Sequence, residues 1–117
     1  MSLANPAFVA FLTDAASGFA FLDHPSDAYP MEGDTVTFRV EHNQSSGTTY
    51  QWKQSDTETG TYTNISGSDV SGEDTGTLTL SDVSLTRHDK HFKCEVTHST
   101  TAYLSNSATL FVDFGMG

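Results

Sequence analysis

The sequence predicts an all-β protein, folded as an antiparallel β-sandwich that is preceded by an N-terminal arm. Three observations carry this prediction. Several short runs alternate apolar and polar residues with a period of two, as half-buried strands do. The 117 residues include seventeen Thr, which favours strands, and fourteen Ser, which favours turns. No clear helical period separates the runs, and the length suits one domain of stacked antiparallel strands.

Residues 1–24 are predicted to form an apolar arm that runs into the first strand. Its large apolar side chains, too many for a freely solvated tail, are Phe8, Phe11, Phe19 and Phe21. In one interpretation Phe19 and Phe21 open the first strand and the earlier part folds back on the sandwich. In the other, residues 2–18 are an anchor that becomes ordered only on a larger assembly and buries its phenylalanines in a groove of the partner. The predicted anchor residues are Phe8, Phe11, Phe19 and Phe21. The start of the arm fits a short helix, capped by Asn5 and ended by Gly18, as well as an extended segment.

The sandwich itself is predicted to span residues 25–113, followed by a C-terminal tail at 114–117. Its inward rows, in chain order, are Val36, Phe38 and Val40; Tyr50 and Trp52; Leu78 and Leu80; Phe92, Cys94 and Val96; and Ala108, Leu110 and Val112. Polar residues alternate with each row, which gives every strand one wet face. A short edge strand is expected over 61–65, and loops are expected over 42–48, 67–76 and 98–103.

In their order and spacing these runs resemble an immunoglobulin-like domain. The resemblance covers about residues 19–113 and rests on six runs that match strands A, B, C, E, F and G: Asp23–Asp27, Glu32–Val40, Tyr50–Lys53, Gly76–Val83, Asp89–Thr97 and Asn106–Val112. It implies that Trp52 is the buried tryptophan of strand C. The core residues that it assigns around this indole are Val40, Cys94, Phe92 and Leu80.

Two positions depart from the pattern of that family. Cys94 is the single cysteine, so no intramolecular disulfide is available, and Val40 occupies the position of the missing partner. Phe92 stands where the family has its corner tyrosine. The resemblance therefore implies the disulfide-free type of domain, which occurs on tailed-phage virions and in bacterial surface proteins. In such a domain, packing around Trp52 replaces the cross-link.

The charge balance excludes two classes of partner. Five Lys and Arg against fifteen Asp and Glu leave a net charge of −10. A surface this acidic repels phosphate backbones and anionic headgroups, which argues against nucleic-acid binding and membrane association. No apolar run reaches the length that a membrane-spanning helix needs, so membrane insertion is not expected.

No motif for catalysis, metal binding or cofactor binding stands out. Cys94 lies on an inward row, where burial suppresses nucleophilicity. The polar clusters Arg87–Lys93, with its two histidines and three cations, and Asp69–Asp74 are interpreted as solvated turns, although the first also suggests a local positive spot for an acidic partner. We therefore predict no enzyme activity, no catalytic residue, no metal site and no cofactor.

The predicted function is that of a non-enzymatic structural or binding module. The resemblance implies a phage virion accessory protein on the virion surface, a head or tail decoration whose arm docks on a capsid or tail protein. Loops 42–48 and 98–103 would then face a host-surface glycan or protein, with Asn43, Thr101 and Tyr103 as contact residues. Two alternatives are a module of a bacterial cell-surface adhesin, and a carbohydrate-binding accessory module of an extracellular enzyme. The start at Met1 and the ending Phe114–Gly117 favour a complete small protein over a fragment.

Overall fold

The structure, a computed structural model, describes residues 18–113 and is almost entirely β over that range. The strands are β1 (Phe21–Asp23), β2 (Val36–Arg39), β3 (Glu41–His42), β4 (Thr48–Ser55), β5 (Thr63–Asn64), β6 (Val70–Ser71), β7 (Thr77–Leu80), β8 (Lys90–His98), β9 (Thr101–Leu104) and β10 (Ala108–Leu110). One 3-10 turn, Leu85–Arg87, lies between β7 and β8, and no α-helix occurs within residues 18–113. The predicted all-β fold class is confirmed.

Two antiparallel sheets enclose the core. The larger sheet has the order β10–β8–β4–β5, and β9 pairs with the far half of β8 on the same side as β10. The smaller sheet has the order β2–β7–β6, and the short pair β1–β3 continues it beyond Val40. Because β4 and β8 pair over eight residues, with Trp52 opposite Cys94, their inward rows coincide along the whole length of the sandwich.

The core contains the alternating residues that the sequence identified together with Ile65 and Val83, while Tyr50 is only partly buried. Trp52, Leu80, Phe92 and Cys94 are fully buried, and Val40 is nearly so. The aromatic ring of Phe38 on β2 stacks on that of Phe92 on β8, with 5.0 Å between centroids. This contact joins the two sheets, so aromatic packing links them in a domain that has no disulfide.

The segment between β1 and β2 lies along β10 and closes that edge of the larger sheet. Ala28 and Met31 form parallel bridges with Leu110 and Asp113. The backbone N–H of Phe111 donates to the Ala28 carbonyl at 2.9 Å, and that of Asp113 donates to the Pro30 carbonyl at 2.8 Å. The chain thus leaves the smaller sheet after β1 and crosses to the edge of the larger one.

Three expectations about loops are wrong. The predicted loop 98–103 is a hairpin: β8 continues to His98, Ser99 takes a positive φ of 58° in a two-residue turn, and β9 begins at Thr101. Residues 67–76 contain β6, and residues 41–42 pair with β1 before the β3–β4 turn. The short edge strand expected over 61–65 is confirmed as β5. The helix or extended arm over the first residues lies outside the described range.

Candidate functional site

Aromatic and histidine rings gather at the end of the sandwich where the described chain begins. We call this end the N-terminal pole and define it by Gly18, Phe19, the β3–β4 turn (43–47) and the β8–β9 turn (99–100). The Phe19 ring stacks on Tyr103 with 4.3 Å between centroids and an interplanar angle of 11°. Phe21 meets it edge-on at 5.0 Å, and His42 lies at 5.3 Å. Phe19 therefore joins the start of the chain to both turns.

Two side-chain amides fix the backbone at this pole. Asn43 Nδ2 donates to the Gly18 carbonyl at 3.2 Å, and Gln44 Nε2 donates to the same carbonyl at 3.0 Å. Asn43 Oδ1 accepts from the Ala20 N–H at 3.0 Å, while the Asn43 N–H donates to the Ala20 carbonyl at 3.1 Å. These four bonds hold the chain from Gly18 to Ala20 in one path as it enters the domain.

The two histidines of the pole serve packing. His42 Nδ1 accepts from the Gln44 N–H at 3.1 Å, which places the ring hydrogen on Nε2 and directs it to the Tyr50 hydroxyl at 2.7 Å. His98 Nδ1 is buried and has no hydrogen-bond partner within residues 18–113. Neither ring presents a free nitrogen to solvent beside a nucleophile, so the pole lacks the arrangement of an acid–base catalyst.

The predicted contact residues have different surroundings in the structure. One face of the Tyr103 ring is covered by Phe19, so Tyr103 packs at a strand end and is not an open platform for a sugar. Asn43 is exposed but its side chain is committed to the entering chain. Thr101 is exposed on β9. Phe8 and Phe11 lie outside the described residues, and their assignment as anchors stays a prediction.

The structure describes Phe19 and Phe21, two of the four predicted anchor residues. Both are half-buried and pack against the core of this domain, and their assignment as anchors for a partner stays a prediction. The alternative in which they open the first strand is correct for Phe21, where β1 begins, while Phe19 precedes that strand. A stacked ring has little free area left for another protein.

The predicted display loops lie at the end of the sandwich where the described chain begins. Gly18 accepts hydrogen bonds from Asn43 and Gln44 of the β3–β4 turn, and Phe19 stacks on Tyr103 of the β8–β9 hairpin. Gly18 and Phe19, the first described residues, therefore lie beside loops 42–48 and 98–103. Asp113 lies beyond the other end of β8, a nine-residue strand about 27 Å long. The described chain enters at one pole and leaves near the opposite one.

Cys94 is a packed core residue. Its side chain is fully buried opposite Trp52, and desolvation is the main reason why the pKa of the thiol rises to about 12. The thiolate is the reactive form, so burial removes both access and ionisation.

We accordingly expect native protein to give no reaction between Cys94 and a disulfide reagent such as dithionitrobenzoate at pH 8. Protein in 8 M urea (about the concentration that unfolds small domains) should react fully with one thiol per chain. Rapid labelling without denaturant would show that Cys94 is accessible and would contradict its place in the core.

In the acidic segment Asp69–Asp74, the first residue, Asp69, forms an ion pair within the domain. Arg87 Nε and Nη2 donate to the two carboxylate oxygens of Asp69 at 2.8 and 2.9 Å, and Nη1 donates to Gln54 Oε1 at 3.0 Å. The Arg87 side chain is largely buried, and its hydrogen bonds lower the pKa of the Asp69 carboxyl. No cluster of three or more metal-binding side chains occurs within residues 18–113.

Replacing Asp69 with Asn should cost about 1–2 kcal/mol of unfolding free energy at neutral pH, because it discharges a partly buried ion pair that is joined by two hydrogen bonds. A lowered pKa means that the carboxylate contributes its full stability above the unfolded value, near pH 4, and loses it as the pH falls through the folded value. Urea denaturation should therefore show a larger difference in stability between wild type and D69N at pH 7 than at pH 2.5. An equal difference at both values would contradict the ion-pair assignment.

The expected positive spot is not available to a partner. Lys90 pairs with Asp56, and the Lys93 ammonium lies 4.7 Å from the centroid of the Tyr62 ring. Arg39 and Lys53, like Arg87, also have carboxylate partners. All five Lys and Arg of the chain are thus occupied, and the outward field of the domain is that of its acidic residues.

A polar groove of about 620 Å³ crosses the outer face of the larger sheet. Its lining combines Glu58, Thr59, Lys93, Leu104 and the segment Ser105–Ser107. Its acid and its base have other partners: Ser107 Oγ donates to Glu58 Oε2 at 3.5 Å, and Lys93 covers Tyr62. The groove lacks a nucleophile beside a free base, and it carries no catalytic assignment.

Sequence analysis missed an exposed aromatic surface near the opposite pole. Tyr29 is 72% exposed and stacks on Phe111 with 5.1 Å between centroids, and Met31 next to it is also exposed. The His88 ring lies edge-on to the Phe111 ring, and His88 Nδ1 accepts a hydrogen bond from the Val112 N–H. Tyr29 lies in a stretch without alternation, and only its bridge neighbours on β10 reveal that it stands beside Phe111.

Comparison with known proteins supports the fold. The chain matches no protein-family model and no curated protein sequence. Among solved structures it is similar to the tandem Ig repeats of Dlar, with a TM-score of 0.67 and 17% identity over 82% of this chain and 48% of that one. It is also similar to the titin M3 domain, with a TM-score of 0.61 and 18% identity over 81% of this chain and 96% of that domain. The chain thus spans about half the length of the tandem structure and nearly all of a single domain.

These likenesses, at such low identity, establish an immunoglobulin-like fold and nothing finer. Such a fold is consistent with a binding or structural module. No helix within residues 18–113 has the length and apolar character that crossing a membrane requires.

Proposed function

We propose that this chain is a non-enzymatic structural and binding module that is held on a larger assembly by the segment preceding Gly18. The observation that carries the proposal is the fixed entry of the chain at the N-terminal pole. Asn43 and Gln44 clamp the Gly18 carbonyl, and Phe19 is locked between ring systems. A tether that ends in so rigid a joint transmits the orientation of its anchor to the whole domain.

In its finer form, the proposal is an accessory protein of a phage virion, a decoration of the head or tail. Support comes from the resemblance to disulfide-free domains of that kind, and from the apolar residues Phe8 and Phe11 upstream of the joint. The surface is acidic and every Lys and Arg has a partner, so it disfavours adsorption to nucleic acid inside the particle. Attachment through apolar contacts suits such a surface.

In this proposal the two poles have opposite roles. The N-terminal pole, with turns 43–47 and 99–100, lies next to the assembly. The opposite pole projects outward and carries the exposed pair Tyr29 and Met31, in place of the loops that the sequence suggested. A host-surface glycan or protein is then sought at Tyr29, whose side chain is largely exposed.

Density-gradient fractionation of phage lysates from the source strain tests the proposal. The wild-type chain should sediment with intact particles and stay bound in high salt, while the double variant F8D/F11D should remain at the top of the gradient. The matched control Y29A should sediment like wild type, because Tyr29 lies at the outward pole. Wild-type protein found only at the top of the gradient would refute the virion assignment.

A second candidate is a module within a bacterial cell-surface adhesin. It is favoured by the entry and exit of the chain at opposite poles, the arrangement that domains in series need. Under this alternative the same fractionation places the wild-type protein in the cell envelope and not with particles. The carbohydrate-binding accessory module, the third class, has no open aromatic platform at Tyr103 to support it.

A further inference from the structure

The edge of the larger sheet formed by β9 and β10 is closed along part of its length only. Beyond Ser105, four backbone N–H groups have acceptors in the segment between β1 and β2. Asn106 donates to His24 Nδ1 at 3.0 Å, and Thr109 donates to Asp27 Oδ1 at 2.8 Å. Phe111 and Asp113 donate to the Ala28 and Pro30 carbonyls. This half of the edge cannot accept another strand.

The other half of the edge is open. The two-residue turn makes His98 and Thr101 a hydrogen-bonded pair, so hydrogen-bonded and non-hydrogen-bonded pairs alternate from there along β9. The Ser105 N–H donates inward to the Cys94 carbonyl at 3.0 Å, which agrees with that alternation. The N–H and C=O groups of Ala102 and Leu104 therefore point away from β8, and within residues 18–113 no group closes them.

This open edge also lacks the features that prevent strands from pairing between molecules. Residues 96–112 form the longest run of the chain without Asp, Glu, Lys or Arg, although the whole carries a net charge of −10. β9 contains no proline, and Leu104 on its outer face is 52% exposed. Edges are normally protected by charge, proline or a covering segment, and β9 has none of these protections.

We propose that β9 is a self-association site, at which β9 of a second copy of this chain pairs antiparallel about a two-fold axis. Ala102 of each copy then exchanges two N–H···O=C bonds with Leu104 of the other, which gives four bonds in total. Tyr103 lies opposite its own equivalent. On the outer face each Leu104 side chain lies beside the small Ala102 of the other copy, so the surfaces are complementary in size.

The charge distribution allows this contact between two acidic molecules. Glu95 stands opposite Leu104 on the neighbouring strand β8, and Glu58, which lines a groove with Leu104, accepts a hydrogen bond from Ser107. In the pair the two β8 strands are three strand spacings apart, about 14 Å, which exceeds the screening length of about 8 Å at physiological ionic strength. The four-residue edge buries less area than a permanent dimer requires, so the association is expected to be reversible and to matter where copies are crowded.

Amide hydrogen exchange measured from micromolar to millimolar protein tests the pairing at residue level. The Ala102 and Leu104 amides should exchange freely in dilute protein and become protected with rising concentration. The Asn106 amide, which donates to His24, should be protected at every concentration and serves as the internal reference. Protection of Ala102 and Leu104 in dilute protein would show that the edge is covered within one chain, and would overturn the proposal.

Sedimentation of matched variants tests the surface. L104K should weaken the self-association by about tenfold or more, and so should A102P, which removes an outward N–H without breaking a bond to β8. L22K, at a leucine of similar exposure on β1, should associate like wild type. Added salt should strengthen the wild-type dimer, because it screens the repulsion between the two acidic copies. A monomer at all concentrations, or equal loss in L22K, would overturn the assignment.

Discussion

Replacing Trp52 with alanine is expected to lower the free energy of unfolding by about 3–5 kcal/mol, a large part of what a small domain has. The indole is fully buried, stands opposite Cys94 and has no disulfide beside it to limit the loss. It also has a polar role: Nε1 donates to the Thr75 carbonyl at 2.8 Å. Alanine leaves both a cavity and an unsatisfied carbonyl.

Urea unfolding followed by circular dichroism measures this effect without relying on the lost fluorophore. W52F separates the two contributions, because phenylalanine keeps most of the apolar volume but cannot donate to Thr75. W52F is expected to lower the free energy of unfolding by about 2 kcal/mol, less than W52A does. L22A, at an exposed position, should change the free energy by less than about 0.5 kcal/mol. A midpoint of W52A near that of wild type would refute the assignment of β4 as the central strand.

Replacing Gly72 with alanine is expected to cost about 3 kcal/mol, the second-largest effect. Gly72 has a φ of +72°, and a Cβ atom added there would lie 2.2 Å from the Thr77 carbonyl oxygen. Backbone in a tight β6–β7 turn cannot move away as a flexible side chain can. The same turn supplies the carbonyls of Glu73 and Thr75, which accept the backbone and indole N–H groups of Trp52.

Gly76 provides the matched control in the same turn. Its φ is not in the left-handed region, and an added Cβ would meet its nearest neighbour, the Val40 carbonyl oxygen, at 3.6 Å. G76A should therefore stay within about 1 kcal/mol of wild type. Because Gly72 and Trp52 act through the same carbonyls, G72A and W52F together should cost less than their sum. Strict additivity would show that the turn and the indole are independent.

Much of the sandwich could be predicted because its signal is local. A half-buried strand alternates every second residue, and β2, β4, β7, β8 and β10 do so clearly. Once alternation identifies the inward row, Trp52 and Cys94 must face the core, because shifting the register by one residue would expose every apolar side chain.

The strands that were missed have weak local signals. β6 has two residues, and β9 carries exposed Ala102 and Leu104 on either side of Tyr103, so its pattern does not alternate in the usual way. The tight turn before β9 depends on Ser99, which has a positive φ. Serine seldom adopts this conformation, so the sequence does not predict the turn.

The candidate site depended still more on distant contacts. Asn43 and Gln44 hold Gly18 across about 25 positions in sequence, and Phe19 reaches Tyr103 across a greater separation. Sequence analysis assigned Asn43 and Tyr103 to display and Phe19 to an anchor, since each is a polar or aromatic residue in a stretch without alternation. In the structure Phe19 stacks on Tyr103, and Asn43 bonds to the backbone on either side of Phe19, so all three take part in packing at this pole.

The amino-acid sequence by itself determined the class of fold, the inward rows, the acidity of the surface and the absence of a disulfide, because periodicity and composition act over neighbouring residues. The tertiary structure alone decided which pole receives the entering chain, which partner each Lys and Arg has and which part of the β9–β10 edge stays open. Those properties depend on hydrogen bonds and ring contacts between segments far apart in the chain, and such pairings leave no periodic trace in either segment.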